Sequence, residues 1–272
     1  MKSRLTITLS DTILSAVDRM IDGQDIRNRS HAIEHLIHKS LTPSVTTALL
    51  LAGGRHKDTP PPALALVDKQ PLVTIILNRL KHFGITHVVI CAGFWEKRMR
   101  DLLHDGETLG LTISYVSETQ QLGTAGAIKK VQPLLSQEPF LVIHGDVLTT
   151  INLEDFIAFS EDEQTLATIA VKPRLSEKKY GKVLLEGNKI THFLQEKGEG
   201  GISIVNTGVY LFNPSILTFL SNHTPLSLEA DIFPKLAKMG QLSAYLFQGM
   251  WFDIRHAPDR HDAIARWKKE KH

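Results

Sequence analysis

The sequence predicts an α/β protein with a mostly parallel sheet, preceded by a small β-α-α segment. The first observation is a break at Pro43, where proline lacks an N–H group and restricts the residue before it. The second is that, after this break, buried-strand patterns alternate with helical ones, which is typical of βαβ units. We therefore divide the chain into an N-terminal domain at 1–42, a linker at 43–46 and a large domain at 47–272.

The composition excludes several classes of protein. No apolar run reaches the roughly 18 residues that a transmembrane helix needs, so we expect no membrane partner. The single cysteine, Cys91, excludes a disulfide framework and lies in an apolar strand pattern typical of core. The start of the chain lacks a secretory signal, so we expect a mature, cytoplasmic protein. The formal net charge of +2 does not by itself indicate nucleic acid.

The N-terminal domain begins with a strand pattern at residues 4–9, where apolar and polar side chains alternate. The apolar face holds Leu5, Ile7 and Leu9, and the polar face holds Arg4, Thr6 and Thr8. A lone strand leaves its backbone groups unpaired, and the nearest partner is its copy in a second chain. We therefore expect at least a two-fold homodimer with residues 3–10 paired antiparallel, and a higher oligomer stays open.

Two amphipathic helices follow this strand. Ser10 or Asp11 caps the first helix, and Asn28 caps the second. Each helix carries one apolar stripe. The stripes consist of Ile13, Leu14, Val17, Met20 and Ile21 in the first helix and of Ala32, Ile33, Leu36, Ile37 and Leu41 in the second.

The strand, the turn and the Asn-Arg-Ser start of the second helix resemble the ribbon-helix-helix family of DNA-binding proteins. The resemblance implies that Arg4, Thr6 and Thr8 face base edges in the major groove of double-stranded DNA. It also implies that Asn28, Arg29 and Ser30 hold a backbone phosphate at the helix N-terminus. The alternative is a dimerisation module without a DNA partner, because basic and acidic residues nearly balance in this segment.

The sequence of the large domain predicts a series of strands and helices. Strand patterns lie at 45–51, 87–92, 111–116 and 140–144, and helical patterns lie near 72–82, 95–104 and 125–135. The first strand ends at Gly53 and Gly54, and such a turn lets backbone approach a nucleotide. A second small-residue loop at 122–127 opens a helix, and Asp146 follows a buried strand. Asp253 lies in a Trp-Phe-Asp-Ile motif near the end.

In this order, the motifs resemble the sugar-1-phosphate nucleotidyltransferases, or nucleotide-sugar pyrophosphorylases, over residues 47–266. The resemblance implies a Rossmann-like, mostly parallel sheet of the nucleotidyltransferase type. It also implies transfer of a nucleotidyl group from a nucleoside triphosphate to a sugar 1-phosphate, with a nucleotide sugar and pyrophosphate as products. Asp146 and Asp253 match the family's two Mg²⁺ ligands, although a strand-end aspartate such as Asp146 is often only a helix cap.

The resemblance assigns further roles. The nucleotide contacts are Leu51, Ala52, Gly53, Gly54, Gly123, Thr124, Ala125 and Gly126. The sugar contacts are Tyr180, Gly181, Glu196, Asn206 and Thr207, and Lys197 binds the sugar phosphate. Alternatives remain, because Lys197 could be a solvated surface lysine, Asn206 could hold a turn and Gly181 could belong to an ordinary hairpin.

Two segments depart from the family pattern. The first loop is shorter and lacks the family's Gly-Thr-Arg step, and Pro62 stands where the family has lysine. Those basic side chains hold the triphosphate, and Arg55 and Lys57 are the candidates to replace them as catalytic residues. Arg255 is the first of two basic residues where the family tends to have Gly-Thr, and it could reach a phosphate or block the pocket.

Glu118 is the candidate that selects the base. Its spacing from Gly123 places it where the family has a base-reading side chain. A carboxylate only accepts hydrogen bonds, and guanine offers two adjacent donors. We therefore expect GTP, with UTP or dTTP as the runner-up, unless Glu118 merely ends its strand in solvent.

The sequence leaves two functions open. The first is a Mg²⁺-dependent sugar-1-phosphate nucleotidyltransferase fused to a ribbon-helix-helix module, which the pair of aspartates favours. The second is a DNA-binding transcriptional regulator whose degenerate transferase domain senses a nucleotide or nucleotide sugar. The altered first loop and the N-terminal module favour this alternative.

Overall fold

The computed structural model describes residues 6–23, 26–41, 44–53, 58–175, 181–194, 202–221, 225–255 and 263–267, with the backbone alone at 38–41. The chain separates into two compact units, Met1–Ser44 and Val45–His272. Their boundary falls inside the predicted linker.

The small unit contains helices α1 (Asp11–Asp18) and α2 (Arg29–Leu41). Ser10 is the N-cap of α1, and its hydroxyl accepts a hydrogen bond from the Ile13 backbone N at 3.4 Å. The Asn28 side chain accepts a hydrogen bond from the His31 backbone N at 2.9 Å. Both caps were expected because short polar side chains satisfy the free N–H groups of a first turn.

The strand predicted at 4–9 falls partly outside the described residues, which begin at Thr6. From there to Ser10 the single chain has no strand structure. Arg4 and Leu5 lie outside the described residues. The pairing of this segment across a two-fold axis therefore stays a prediction.

The core of the small unit is thin. Val17 and Ala32 are buried between α1 and α2. Other apolar side chains of the unit remain exposed, namely Ile7 (46%), Ile13 (51%), Leu36 (39%) and Ile37 (47%). The unit thus presents apolar surface that its own described residues do not cover.

The large unit begins with β1 (Thr47–Leu51) and contains strands and helices that alternate up to residue 163. The following elements are β2 (Leu66–Val67), β3 (Gln70–Pro71), α3 (Leu72–His82), β4 (His87–Gly93), α4 (Glu96–Leu103), β5 (Thr112–Ser117), α5 (Thr124–Val131), β6 (Phe140–His144), β7 (Val147–Thr149) and α6 (Leu153–Glu163). The predicted strands and helices of this part all occur, with ends shifted by a few residues in most of them.

The remaining part consists mainly of strands. It contains β8 (Ala167–Leu175), β9 (Lys182–Glu186), β10 (Lys189–Leu194), β11 (Ile202–Phe212), α7 (Phe233–Lys238), β12 (Leu242–Leu246) and β13 (Trp251–Asp253). A π-helical turn, Leu228–Ile232, leads into α7.

Nine strands form one sheet in the order β5-β4-β1-β6-β11-β8-β12-β10-β9. The first four are parallel, as expected. The expectation of a mostly parallel sheet holds only in part, because the rest is mixed: β12 is parallel to β8, but β11 is antiparallel to both β6 and β8. β9 and β10 are joined by a two-residue turn, and a connection this short can join only antiparallel strands.

Helices cover both faces of the sheet. Alternate side chains of β1 point to opposite faces, so Ala48 and Leu50 pack with α3, α4 and α6, whereas Leu49 packs with α5 and α7. Cys91 lies in the second of these cores, and burial raises the pKa of its thiol. None of the described helices is long and apolar enough to cross a membrane.

Candidate active site at the carboxyl edge of the parallel strands

A small antiparallel ribbon brings the two predicted metal ligands together. Asp146 lies in the turn after β6, and β7 leaves that turn to pair with β13. In this pairing Asp253 lies opposite Val147, and the Ile254 backbone N donates to the Asp146 carbonyl oxygen at 2.8 Å. Two aspartates that are far apart in the sequence thus meet at the carboxyl end of β6.

Arg255 bridges the two carboxylates. Its Nε lies 3.1 Å from Asp146 Oδ2 and 2.9 Å from Asp253 Oδ1. A terminal guanidinium nitrogen donates to Asp253 Oδ2 at 2.5 Å, and the Arg255 backbone N donates to Asp253 Oδ1 at 3.0 Å. The Asp253 side chain is almost fully buried, whereas 41% of the Arg255 side chain is exposed.

Burial dominates the electrostatics of Asp146. It raises the pKa of this carboxyl, and the nearby charges of His144 and Arg255 oppose that rise. Asp146 Oδ1 is buried, and it has no hydrogen-bond partner among the residues that the structure describes. A buried carboxylate oxygen without a partner is costly unless a cation or a donor satisfies it.

The donor chemistry of this pair fits Mg²⁺. Mg²⁺ prefers oxygen ligands and is usually held by one or two carboxylates together with substrate phosphates and water. Within the described part of the chain, no group of three or more His, Cys, Asp or Glu side chains could hold a metal ion. Asp146 and Asp253 would therefore hold the ion with help from the substrate, and Arg255 now stands between them.

The glycine turn after β1 packs closely on its neighbours. A Cβ atom on Gly53 would lie 3.1 Å from the Gly93 backbone N, and one on Gly145 would lie 2.8 Å from the Ala52 Cα. Ala52 is buried, so it supports the turn rather than offering a side chain. The remaining predicted residues of this loop, Gly54, Arg55 and Lys57, lie outside the described residues.

The second small-residue loop is anchored to a segment near α7. The Leu226 carbonyl oxygen accepts hydrogen bonds from the backbone N atoms of Ala125 (2.9 Å) and Gly126 (3.1 Å), both of which are buried. Gly123 has a φ of +77°, and a Cβ atom there would lie 2.4 Å from the same oxygen. This leaves Thr124, which is only half-buried, as the loop side chain best placed for a ligand.

Glu118 follows β5 directly and is half-buried rather than free in solvent. Its backbone N donates to the Gly93 carbonyl oxygen at 3.2 Å, and its Oε2 accepts from the Leu122 backbone N at 3.4 Å. Burial raises the pKa of its carboxyl. Glu118 therefore lies between the end of β4 and the loop that opens α5.

The predicted sugar contacts divide into two groups. Asn206 and Gly181 are neighbours, because the Asn206 backbone N donates to the Gly181 carbonyl oxygen at 2.9 Å. Thr207, however, is buried and donates to the Ala170 carbonyl oxygen at 2.6 Å, which indicates a structural role. Tyr180, Glu196 and Lys197 lie outside the described residues.

A polar network that the sequence did not reveal joins the loop before α5 to Asn206. Glu229 accepts hydrogen bonds from Thr124 Oγ1 (2.9 Å) and from the Tyr210 hydroxyl (3.5 Å). The Tyr210 hydroxyl accepts from Asn206 Nδ2 at 2.9 Å and lies 3.4 Å from His144 Nε2. Glu229 is one of two acidic residues in the segment at 228–232, which gave no signal of these partners, so the contacts became visible only in the fold.

The relatives of the chain are sugar-phosphate nucleotidyltransferases. One is "Mannose-1-phosphate guanyltransferase beta-B" of Xenopus laevis, which is 31% identical over 223 residues. Another is "Mannose-1-phosphate guanylyltransferase catalytic subunit beta" of Danio rerio, which is 32% identical over 225 residues. Each alignment covers 78% of this chain and 62% of the relative, so the chain spans less than two thirds of these proteins.

Solved structures share the fold of the large unit. HddC from Yersinia pseudotuberculosis superposes with a TM-score of 0.71 at 23% identity, over 82% of this chain and all of that one. UDP-glucose pyrophosphorylase complexed with UDP-glucose gives a TM-score of 0.69 at 20% identity, over 83% and 99%. The family model described as "Nucleotidyl transferase" matches residues 48–270. The chain therefore belongs to the nucleotidyl transferase family.

Proposed function

We propose that the chain transfers a nucleotidyl group from a nucleoside triphosphate to a sugar 1-phosphate in a Mg²⁺-dependent reaction. The observation that carries this proposal is the meeting of Asp146 and Asp253 beside the glycine turn of β1, in a chain of this family. The names of the relatives support GTP and mannose 1-phosphate as the substrates.

In the proposed reaction, a phosphate oxygen of the sugar 1-phosphate attacks the α-phosphorus of the triphosphate. The bond from that phosphorus to the β-phosphate oxygen breaks, and pyrophosphate leaves with the bonding electrons. Mg²⁺, when bound, neutralises phosphate charge during the transfer. Asp146 and Asp253 would hold it, and the backbone at Gly53 lets the triphosphate approach the sheet.

The other residues orient the two substrates. Glu118 accepts hydrogen bonds from the base, and guanine suits it because its N1–H and N2 amine are adjacent donors. A crystal structure of HddC complexed with GMP-PN has the same fold, which supports a guanine nucleotide. Asn206 binds the sugar, and Glu229 ties Asn206 to the nucleotide loop through Tyr210 and Thr124.

The test is pyrophosphate release from a panel of nucleoside triphosphates and sugar 1-phosphates with Mg²⁺. We expect Asp146→Asn and Asp253→Asn each to lower kcat by about 10²-fold or more, because each removes charge that holds the transferring group in place. Asp101→Asn, on the exposed face of α4, is the matched control and should leave kcat unchanged. Full activity of the Asp253→Asn protein would contradict the proposal.

A second candidate function is a DNA-binding regulator whose large unit senses a nucleotide. The ion pairs of Arg255 across both aspartates favour it, since they compete with metal binding. The exposed apolar side chains of the small unit favour a dimer of the ribbon-helix-helix kind, which would place residues 1–42 on double-stranded DNA. Saturable binding of GTP without pyrophosphate release from any sugar phosphate would favour this function over the first.

A further inference from the structure

Arg255 occupies the place where a cation shared by Asp146 and Asp253 would lie. Its Nε is within 3.1 Å of one oxygen of each carboxylate. A Mg²⁺ ion coordinated by these same two oxygens would lie about 2.1 Å from each, in the volume that the guanidinium fills. The guanidinium and the ion therefore compete for these two oxygens.

The charge balance points in the same direction. The two carboxylates carry two negative charges, and the guanidinium neutralises one of them. At a buried site, where charges interact more strongly than in water, this lowers the attraction for a second cation. One oxygen, Asp146 Oδ1, is still without a partner in the described part of the chain, so Arg255 satisfies the pair incompletely.

Arg255 is the exposed member of this cluster. Its side chain is 41% exposed, whereas the Asp146 and Asp253 side chains are 17% and 1% exposed. The carboxylates are fixed by the β7–β13 ribbon, and the arginine reaches them from the turn after β13. Phosphate groups offer a guanidinium an equally good bidentate partner, so a bound triphosphate can draw it away.

We propose that Arg255 is an internal cation that competes with a divalent metal ion for Asp146 and Asp253. In the free chain, Arg255 holds the pair and the metal binds weakly. When the triphosphate takes over the guanidinium, the pair is released and the metal binds. The inference rests on the proposed function for the identity of the metal pair, and it adds that nucleotide binding controls metal binding.

Direct metal binding tests this competition without a catalytic assay. The free Mn²⁺ signal in electron paramagnetic resonance is titrated with the full chain in the absence of nucleotide. Removing the guanidinium should tighten Mn²⁺ binding by about tenfold or more in Arg255→Ala and Arg255→Gln, because the pair regains its full charge. Arg100→Ala, which breaks the exposed pair with Glu96, is the matched control and should bind Mn²⁺ as the wild type does.

A second readout covers the case in which Arg255→Ala is unstable. Mn²⁺ should raise the Tm of Arg255→Gln more than the Tm of the wild type, since binding stabilises only the folded state. In the double variant Arg255→Gln/Asp146→Asn, both the tighter Mn²⁺ binding and the larger rise in Tm should disappear.

Equal Mn²⁺ affinity of the wild type and both Arg255 variants would overturn the inference, and so would the absence of Mn²⁺ binding from all of them. Pyrophosphate release by the wild type is measured separately. If it occurs while the Mn²⁺ affinities are equal, the proposed function stands and only the competition is wrong.

Discussion

At the scale of single residues, the site depends on charges that the fold has partly removed from water. Glu118 is the clearest case, because burial raises the pKa of its carboxyl and a neighbouring backbone N–H holds it in place. A carboxylate with a raised pKa is a stronger base, and in the proposed function it would accept hydrogen bonds from the two donors of guanine. The protonated carboxyl accepts fewer hydrogen bonds, and its own O–H group repels one of the two guanine donors.

We expect Glu118→Gln to weaken GTP binding by about 1.5 kcal/mol and to leave UTP binding nearly unchanged, because hydrogen bonds to a charged acceptor are the stronger ones. Calorimetric titration of both nucleotides measures this. Glu107→Gln, which changes an exposed glutamate in the turn before β5, serves as the control. Tighter binding of UTP than GTP by the wild type would rule out guanine selection.

The raised pKa also sets the direction of the pH dependence. As the pH falls, Glu118 binds a proton before an ordinary glutamate does, so GTP affinity should begin to fall above the ordinary range of a glutamate pKa. In the Glu118→Gln protein this part of the pH dependence should be absent. The same titrations, repeated from pH 7 downwards, compare the two proteins directly.

At the scale of elements, the loop before α5 is shaped by one glycine. Gly123 combines a φ of +77° with a backbone oxygen that a Cβ atom would approach to 2.4 Å. The first feature costs a non-glycine residue roughly 1–2 kcal/mol, and the second forces the loop away from Leu226. Since Thr124 and the start of α5 move with it, the nucleotide side of the site should be displaced.

We expect Gly123→Ala to lower the free energy of unfolding by about 2 kcal/mol or more and to raise KM for the nucleotide. Gly240→Ala is the matched control, because its φ is +66° but a Cβ atom there would meet nothing within 4 Å. Gly240→Ala should lower the free energy of unfolding only by what the positive φ costs. Urea unfolding of the wild type and both variants separates the cost of the positive φ from the cost of the contact with Leu226. Equal losses of unfolding free energy in both variants would refute a cost from that contact.

The two helices of the small unit are joined by an ion pair that changes the expectation for Arg29. Its Nε and a terminal nitrogen donate to the two oxygens of Asp18 at 2.6 and 2.8 Å. These hydrogen bonds lower the pKa of Asp18. Both side chains are substantially exposed, so the ion pair contributes little to the stability of the fold. If a DNA phosphate were bound here, Asp18 would compete with it for Arg29.

If residues 1–42 bind DNA, Arg29→Ala should weaken binding to all sequences alike, as loss of a phosphate contact does. Asp18→Asn should instead strengthen binding, because it releases Arg29 and removes a negative charge. Fluorescence anisotropy at fixed salt compares the two variants with the wild type. Unchanged DNA affinity in both variants would show that the start of α2 is not part of a DNA interface.

At the scale of the whole molecule, the small unit exposes apolar surface that a second copy of the chain could cover. Ile7, Ile13, Leu36 and Ile37 are exposed in the single chain, and a second copy that pairs its first strand antiparallel would cover them. Ile7→Lys should place a charge in that shared core and separate the chains. Light scattering should show the wild type as a dimer and the variant as a monomer. A monomeric wild type at micromolar concentration would overturn the dimer.

The sequence by itself determined the parallel half of the fold and the order of the motifs along it. α3 and β6 have the bounds that their patterns predicted, because amphipathic and buried runs are local properties. The caps at Ser10 and Asn28 are equally local. The sequence also indicated Asp146 and Asp253, because their motifs resemble those of the family, and the family match supports the kind of protein it predicted.

Only the tertiary structure decided what depends on contacts between distant segments. The antiparallel place of β11 beside β6 followed from strand pairing, which no single segment encodes. The pairing of β7 with β13 put Arg255 between the two aspartates, where the sequence allowed either a phosphate contact or a blocked pocket. In the same way, Glu229 met Tyr210 and Thr124 because side chains join such networks by position in space rather than by spacing in the chain.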